Sequence, residues 1–186
     1  MMARQTTDTP LSDRRWRIDG DRVPAAGVKD VLVATEAERA GIAKRLGLLD
    51  CACLTLAYRL KPVGSGRFHL DGSAEAVLTQ ACIVTLEPIA AAITEPLDLE
   101  LWPAGELGSP TPESGGDADP LADVPEPILD GEIDLGALLF ETLAVAIDPY
   151  PRQPGTTFDW SDPRAAKDAA KLSPFAELAR LKKPPG

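Results

Sequence analysis

Histidine is nearly absent from this chain: His69 is the only one. A serine or cysteine nucleophile needs a poised base beside it, and His69, inside a strand pattern, reads as an ordinary exposed strand residue. Cysteine is scarce too. Cys51, Cys53 and Cys82 cannot all pair within the chain, and two thiols at i and i+2 have poor geometry for a mutual disulfide. A structural zinc site needs about four Cys or His ligands in paired spacing. Cys82 has Thr85 where a partner at i+3 would stand, so neither metal nor other cofactor is expected. The cysteines are taken as small buried residues, Cys51 and Cys53 on one side of their strand. Aromatics make up 5% of the chain, too few for a base-stacking surface. No run approaches the roughly 20 apolar residues of a membrane span, and Met1 to Asp19 lacks the apolar stretch of a signal peptide. A reducing cytoplasm is the expected location, with no membrane partner. No phosphate-cradling glycine loop occurs. Gly64-Ser65-Gly66 lacks the frame of a nucleophile elbow and lies between strand patterns, as a hairpin turn does. No small-molecule substrate is evident.

What the chain has in excess is acid. Its net charge is -10. Ala104 to Asp134 contains nine acidic residues and no Lys or Arg, so the rest is close to neutral. A globally acidic protein repels phosphate at long range; a neutral body with one acidic segment neither excludes RNA nor advertises for it. Residues 103–127 hold Pro, Gly, Ser and Asp without periodicity, the composition of a long solvated insertion loop. Such a loop has the charge to attract a basic partner. The 186 residues bound one domain with a tail or insertion, and 44% apolar content is too high for a wholly disordered chain.

The remaining pattern is that of an α+β domain: a mostly antiparallel sheet, as a meander, with two main packed helices and a long acidic insertion loop. Arg15 to Asp19 alternates and starts a strand, closed by an Asp19-Gly20-Asp21 turn. Val31 to Val33 is a short strand. Thr35 to Gly47 carries the clearest helix signal: a Thr35/Glu38 capping box, a stripe of Ala37, Ala40, Ile42, Ala43 and Leu46, and Gly47 at the left-handed stop. Arg39, Lys44 and Arg45 are expected to face outward. Leu54, Leu56, Tyr58 and Leu60 share one strand face. Phe68, Leu70, Ala74, Ala76 and Leu78 keep period two, with Gly72 as a bulge or bend. Glu87-Pro88 interrupts, and Ile93, Leu97, Leu99 and Leu101 alternate again.

The strongest apolar pattern, around which the core is placed, runs from Glu126 to Pro154. Asp134 caps a helix from Leu135 to about Ala146, with Leu135, Leu138, Leu139, Leu143 and Ala146 inward, and prolines stop it. Glu141, the single carboxylate inside this helix, is expected on the outer face or in a structural ion pair rather than in catalysis. Ser173-Pro174 opens a last short helix that ends at Lys182-Lys183.

Three blocks together resemble one family. They are Ala81-Cys82-Ile83-Val84-Thr85-Leu86-Glu87-Pro88, Glu126-Pro127-Ile128 through Gly131-Glu132-Ile133-Asp134-Leu135 to Ile147-Asp148-Pro149, and Ser173-Pro174-Phe175 to Lys182. Their order is similar to that of the bacterial YceD family, the large ribosomal RNA subunit accumulation proteins. The resemblance spans Arg15 to Lys183 and is nearest to alphaproteobacterial members. It implies a cytoplasmic, non-enzymatic factor in 23S rRNA accumulation or processing, and so in large-subunit biogenesis. Many members carry Cys-x-x-Cys at the first block and further cysteines after the proline-ended helix. Here Thr85 replaces the second cysteine and Tyr150 to Gly155 has none, so no metal site is inherited. The expected layout is a flexible N-terminus over 1–13, one YceD-like domain over 14–160 with its acidic loop at 104–127, and a C-terminal tail over 161–186. The implied partner is ribosomal RNA or a preribosomal particle, with Arg14, Arg15, Arg17, Arg180, Lys182 and Lys183 as the available phosphate contacts. The alternative is an acidic binding module that holds a basic ribosomal protein before assembly.

Overall fold

Three long strands dominate: β3 (Asp50–Gly64), β4 (Arg67–Ala81) and β5 (Pro88–Pro103). The computed structural model describes residues 10–107 and 124–157. Met1–Gln153 forms one compact unit and Pro154–Gly186 a second; everything below concerns the first. The central stretch of the acidic insertion, 108–123, lies outside the described residues, as does the predicted C-terminal helix.

The long strands form because each reads apolar at every second position, which buries one face. Leu54, Leu56, Tyr58 and Leu60 of β3, Phe68, Leu70, Ala74, Ala76 and Leu78 of β4, and Leu97 and Leu101 of β5 are buried as predicted. The β3–β4 turn places Ser65 and Gly66 at φ 53° and 71°, the left-handed pair a two-residue hairpin requires. β2 (Val28–Val33) adds antiparallel to β3, giving the expected meander. A short β6 (Glu126–Ile128) then adds to β5 in parallel, so the five-stranded order is β2-β3-β4-β5-β6. The sequence placed Glu126 and Pro127 at the end of the loop; Leu101 pairs with Glu126 and Trp102 with Pro127. A separate two-stranded ribbon joins β1 (Arg17–Asp19) to β7 (Glu132–Asp134). The predicted strand at Arg15 begins later, because Arg14–Trp16 is a 3₁₀ turn capped by Asp13.

Helix α1 (Glu36–Leu46) has both halves of the Thr35/Glu38 capping box and Gly47 in the left-handed conformation. Its buried face is narrower than the sequence stripe: Ile42 and Ala43 are buried, Ala37 and Ala40 exposed. Helix α2 (Leu135–Ala146) is capped by Asp134, which accepts from the Ala137 amide at 2.9 Å. Leu135, Leu139 and Leu143 are buried, each contributing roughly 1.5–3 kcal/mol before entropy is counted. Both helices pack on the same inner face: α1 against β3, α2 against β4 and β5. The outer face of the sheet, with Lys29, Arg59, Glu75 and Val77, carries no helix among the described residues.

Four local expectations are corrected. Gly72 is neither bulge nor bend: it pairs in register with Tyr58 and Leu97. Its lack of a side chain serves close approach, since a Cβ there would lie 2.2 Å from the Ala57 carbonyl oxygen. The register shifts at Cys51/Cys53 and at Pro62/Gly64 instead. Cys51 pairs with buried Leu78 and Cys53 with exposed Val77, so the extra residue turns two thiols expected on one side to opposite faces. Arg39 does not face outward: its Nε donates to the Cys51 carbonyl at 3.1 Å and its Nη1 to the Ala34 carbonyl at 2.8 Å, joining the helix to the ends of β2 and β3. Leu11 falls within the stretch expected to be flexible, yet it has no exposure. Its carbonyl would stand 2.3 Å from a Cβ on Gly136 of α2, and Pro10 packs at Gly41 of α1. Small residues on both helices thus admit the incoming chain.

Candidate functional site

Three places gather polar side chains. The first is the end of the molecule where the chain enters. Arg14 pairs with Glu132, and Arg15 with Glu38. Arg15 also donates to the Val33 carbonyl at 2.9 Å. Arg17 lies 3.5 Å from Asp134 and 3.9 Å from Glu132. All three predicted phosphate contacts in the folded body therefore have carboxylate partners of their own. Arg180, Lys182 and Lys183 lie outside the described residues.

The second is a groove of about 790 Å³ bounded by β6, the turn into β7, and α2. Its floor includes Leu101, Ile128 and Ile133, with Ala137 and Leu138 from the helix. Carboxylates crowd its rim: Asp19 and Asp21 from the first turn, Glu126 from β6, Asp130 and Glu132 from the turn, Asp134 from the cap, and Glu141 from the helix. Glu141 is on the exposed face, as expected. Burial first, and then the nearby Glu141 carboxylate, push the Glu126 carboxyl above its ordinary range. The sequence showed these acids but not their convergence. The signal that existed was Glu-Pro-Ile followed by Gly-Glu-Ile-Asp, two short alternating runs across a turn rather than one loop.

The third is Cys82, which is fully buried at the start of the β4–β5 connection. The connection is tied to the chain beyond α2: Ile83 donates to the Pro151 carbonyl at 3.0 Å and the Gln80 side chain to the Asp148 carbonyl at 2.8 Å. The sulfur accepts from the Thr85 amide at 3.5 Å. The Thr85 hydroxyl first, then the amides of Thr85, Gln153 and Val84, stabilise the thiolate against burial and lower its pKa to about 6. Cys51, in contrast, is pushed up by burial. These donors do not fit a metal: Thr85 stands where a second thiol would, and among the described residues no three His, Cys, Asp or Glu converge to hold an ion.

Cys82 has a pH signature. A folded thiol near 6 and an unfolded one near 9 mean that the unfolded chain holds the extra proton between those values. Stability is therefore expected to rise with pH across that window and to fall as pH drops through about 6. In urea titrations at successive pH values, Cys82→Ala should flatten this slope. An unchanged slope would show that Cys82 stays a thiol.

The family model described as "Large ribosomal RNA subunit accumulation protein YceD" matches residues 70–182. The chain belongs to the YceD family. The YceD match runs from Leu70 within β4 through α2, hence takes in the Cys82 connection and most of the groove; Arg17, Asp19, Asp21, β2, α1 and β3 precede it. Comparison with curated proteins and with solved structures returned no match. Among the described residues no helix is long and apolar enough to cross a membrane.

Proposed function

We propose that the protein is a non-enzymatic cytoplasmic factor that supports accumulation and processing of 23S rRNA during assembly of the large ribosomal subunit. The observation that carries this is the YceD match over residues 70–182, which takes in the second half of the core, from β4 to α2. Several polar groups of the folded body serve the fold: Glu38 a helix cap, Arg39 strand-end carbonyls, and Arg14, Arg15 and Arg17 carboxylate partners.

A second reading concerns how it does so. The acidic groove favours the holding of a basic ribosomal protein over direct contact with phosphate, because anions crowd its rim while the folded body's nearby arginines are neutralised. Direct RNA contact rests on Arg180, Lys182 and Lys183. In cells depleted of the protein, 23S rRNA should fall relative to 16S rRNA; an unchanged ratio would end the assembly role. Reversing Lys182 and Lys183 to glutamate is expected to leave co-sedimentation with large-subunit precursors in place. Its loss would instead assign the contact to RNA through the tail.

A further inference from the structure

We propose that the groove between β6, β7 and α2 is the docking site for an extended polypeptide segment bearing lysine or arginine on either side of an apolar residue. This rests on the reading that the protein holds a basic assembly component, and it assigns where and by what chemistry.

Charge and shape agree. The groove's volume lies within the range that accepts a few side chains. Its floor is apolar at Leu101, Ile128 and Leu138, which suits an aliphatic anchor and does not suit a hydrated ion. Some of the rim is already answered from within the fold: Asp19 by Arg22, Glu132 by Arg14, Asp134 by Arg17. Asp21, Glu126 and Glu141 have no cationic side chain within 4.0 Å among the described residues. Burial first, and then the Glu141 carboxylate beside it, push the Glu126 carboxyl up. Two like charges placed together over an apolar floor destabilise the fold in isolation. An ammonium or guanidinium between them removes that cost and gains charge-assisted hydrogen bonds.

The sheet edge adds a second element. β6 is the last strand of the five-stranded sheet and pairs with β5 on one side only. An extended segment lying in the groove runs beside that edge, where Pro127 has no N–H to donate, so the segment's side chains, reaching floor and rim, carry the docking. A nucleic acid meets the same rim with phosphate and is repelled. A second copy of this chain, at -10, is repelled likewise.

The full chain should be tested by fluorescence anisotropy against a peptide of alternating lysine and leucine, with oligouridylate as the nucleic-acid probe. Glu126→Gln combined with Glu141→Gln should weaken peptide binding at least tenfold. Glu75→Gln combined with Asp98→Asn removes the same charge from the opposite sheet face and should change it less than twofold. The groove variant should also melt no lower than the parent, because it loses a repulsion. Equal losses in the two variants would overturn the proposal, as would parent protein that takes oligouridylate but not the peptide, or that associates only with itself. A rescue experiment separates this from the wider function. If loss of the protein leaves 23S rRNA unchanged, the assembly role fails and the peptide data still judge the groove. If loss lowers 23S rRNA and the groove variant restores it fully, the groove fails and the assembly role stands.

Discussion

Trp16→Ala is expected to destabilise the protein by roughly 3–5 kcal/mol, a large share of the 5–15 kcal/mol that holds a typical domain together. Trp16 has no exposure, and its indole N–H donates to Glu38 at 2.7 Å. Glu38 receives the Thr35 amide and hydroxyl at 2.7 and 2.9 Å as well, and pairs with Arg15. One carboxylate thus joins the entering chain to the N-terminus of α1. Trp16→Ala opens a cavity and withdraws a donor from that carboxylate together. Trp16→Phe separates the two: most packing stays, the N–H goes, and the loss should be nearer 1–3 kcal/mol. Burial alone would raise the Glu38 carboxyl, but the Thr35 amide, the Trp16 N–H, the Thr35 hydroxyl and the Arg15 charge bring it below its ordinary range. Its contribution is therefore present at neutral pH and lost as pH falls through that depressed value. Urea titration at neutral and acidic pH should show the Trp16→Phe deficit shrinking in acid. A deficit independent of pH would mean that the N–H bond is idle.

Gly72→Val should cost about 3 kcal/mol or more, or abolish cooperative folding. A Cβ at Gly72 meets the Ala57 carbonyl oxygen at 2.2 Å and the Tyr58 Cα at 2.9 Å. Both are backbone atoms of the adjoining strand, so no rotamer change relieves the contact. Relief requires β3 and β4 to move apart in the middle of their paired run. Ser73→Val, one residue on and directed to the outer face, is the control; there a β-branched residue should be neutral or mildly stabilising. Thermal unfolding followed by circular dichroism decides. A Gly72→Val protein as stable as its parent would mean that the two strands do not approach as described.

Much of the candidate site was legible one residue at a time and illegible as a site. Glu126 read as the last acid of a loop, because a three-residue strand is too short for its period to show. Asp19 and Asp21 read as a turn, which they are, but nothing local tells that this turn sits beside Glu141, more than a hundred residues later. Cys51 and Cys53 read as one strand side because period two holds until a bulge breaks it, and a bulge is a property of two strands together. Arg39 read as solvent-facing because a helical wheel has no knowledge of the open carbonyls at Ala34 and Cys51.

The sequence by itself determined the elements whose causes lie within a few residues. These are the Thr35/Glu38 box and Gly47 that start and stop α1, the alternation of β3, β4 and β5, the Ser65-Gly66 turn, the Asp134 cap of α2, and the block order that marks the family. Each rests on local backbone preference or on the period of one element's own side chains. Only the tertiary structure decided what depends on distant atoms meeting. It set the parallel addition of β6, the burial of Leu11 against Gly136, the pairing of Arg14, Arg15 and Arg17 with carboxylates, and the gathering of Asp21, Glu126 and Glu141 over one apolar floor. Charges add through space, not along the chain, and so the acidic excess became a groove only when the sheet and α2 closed around it.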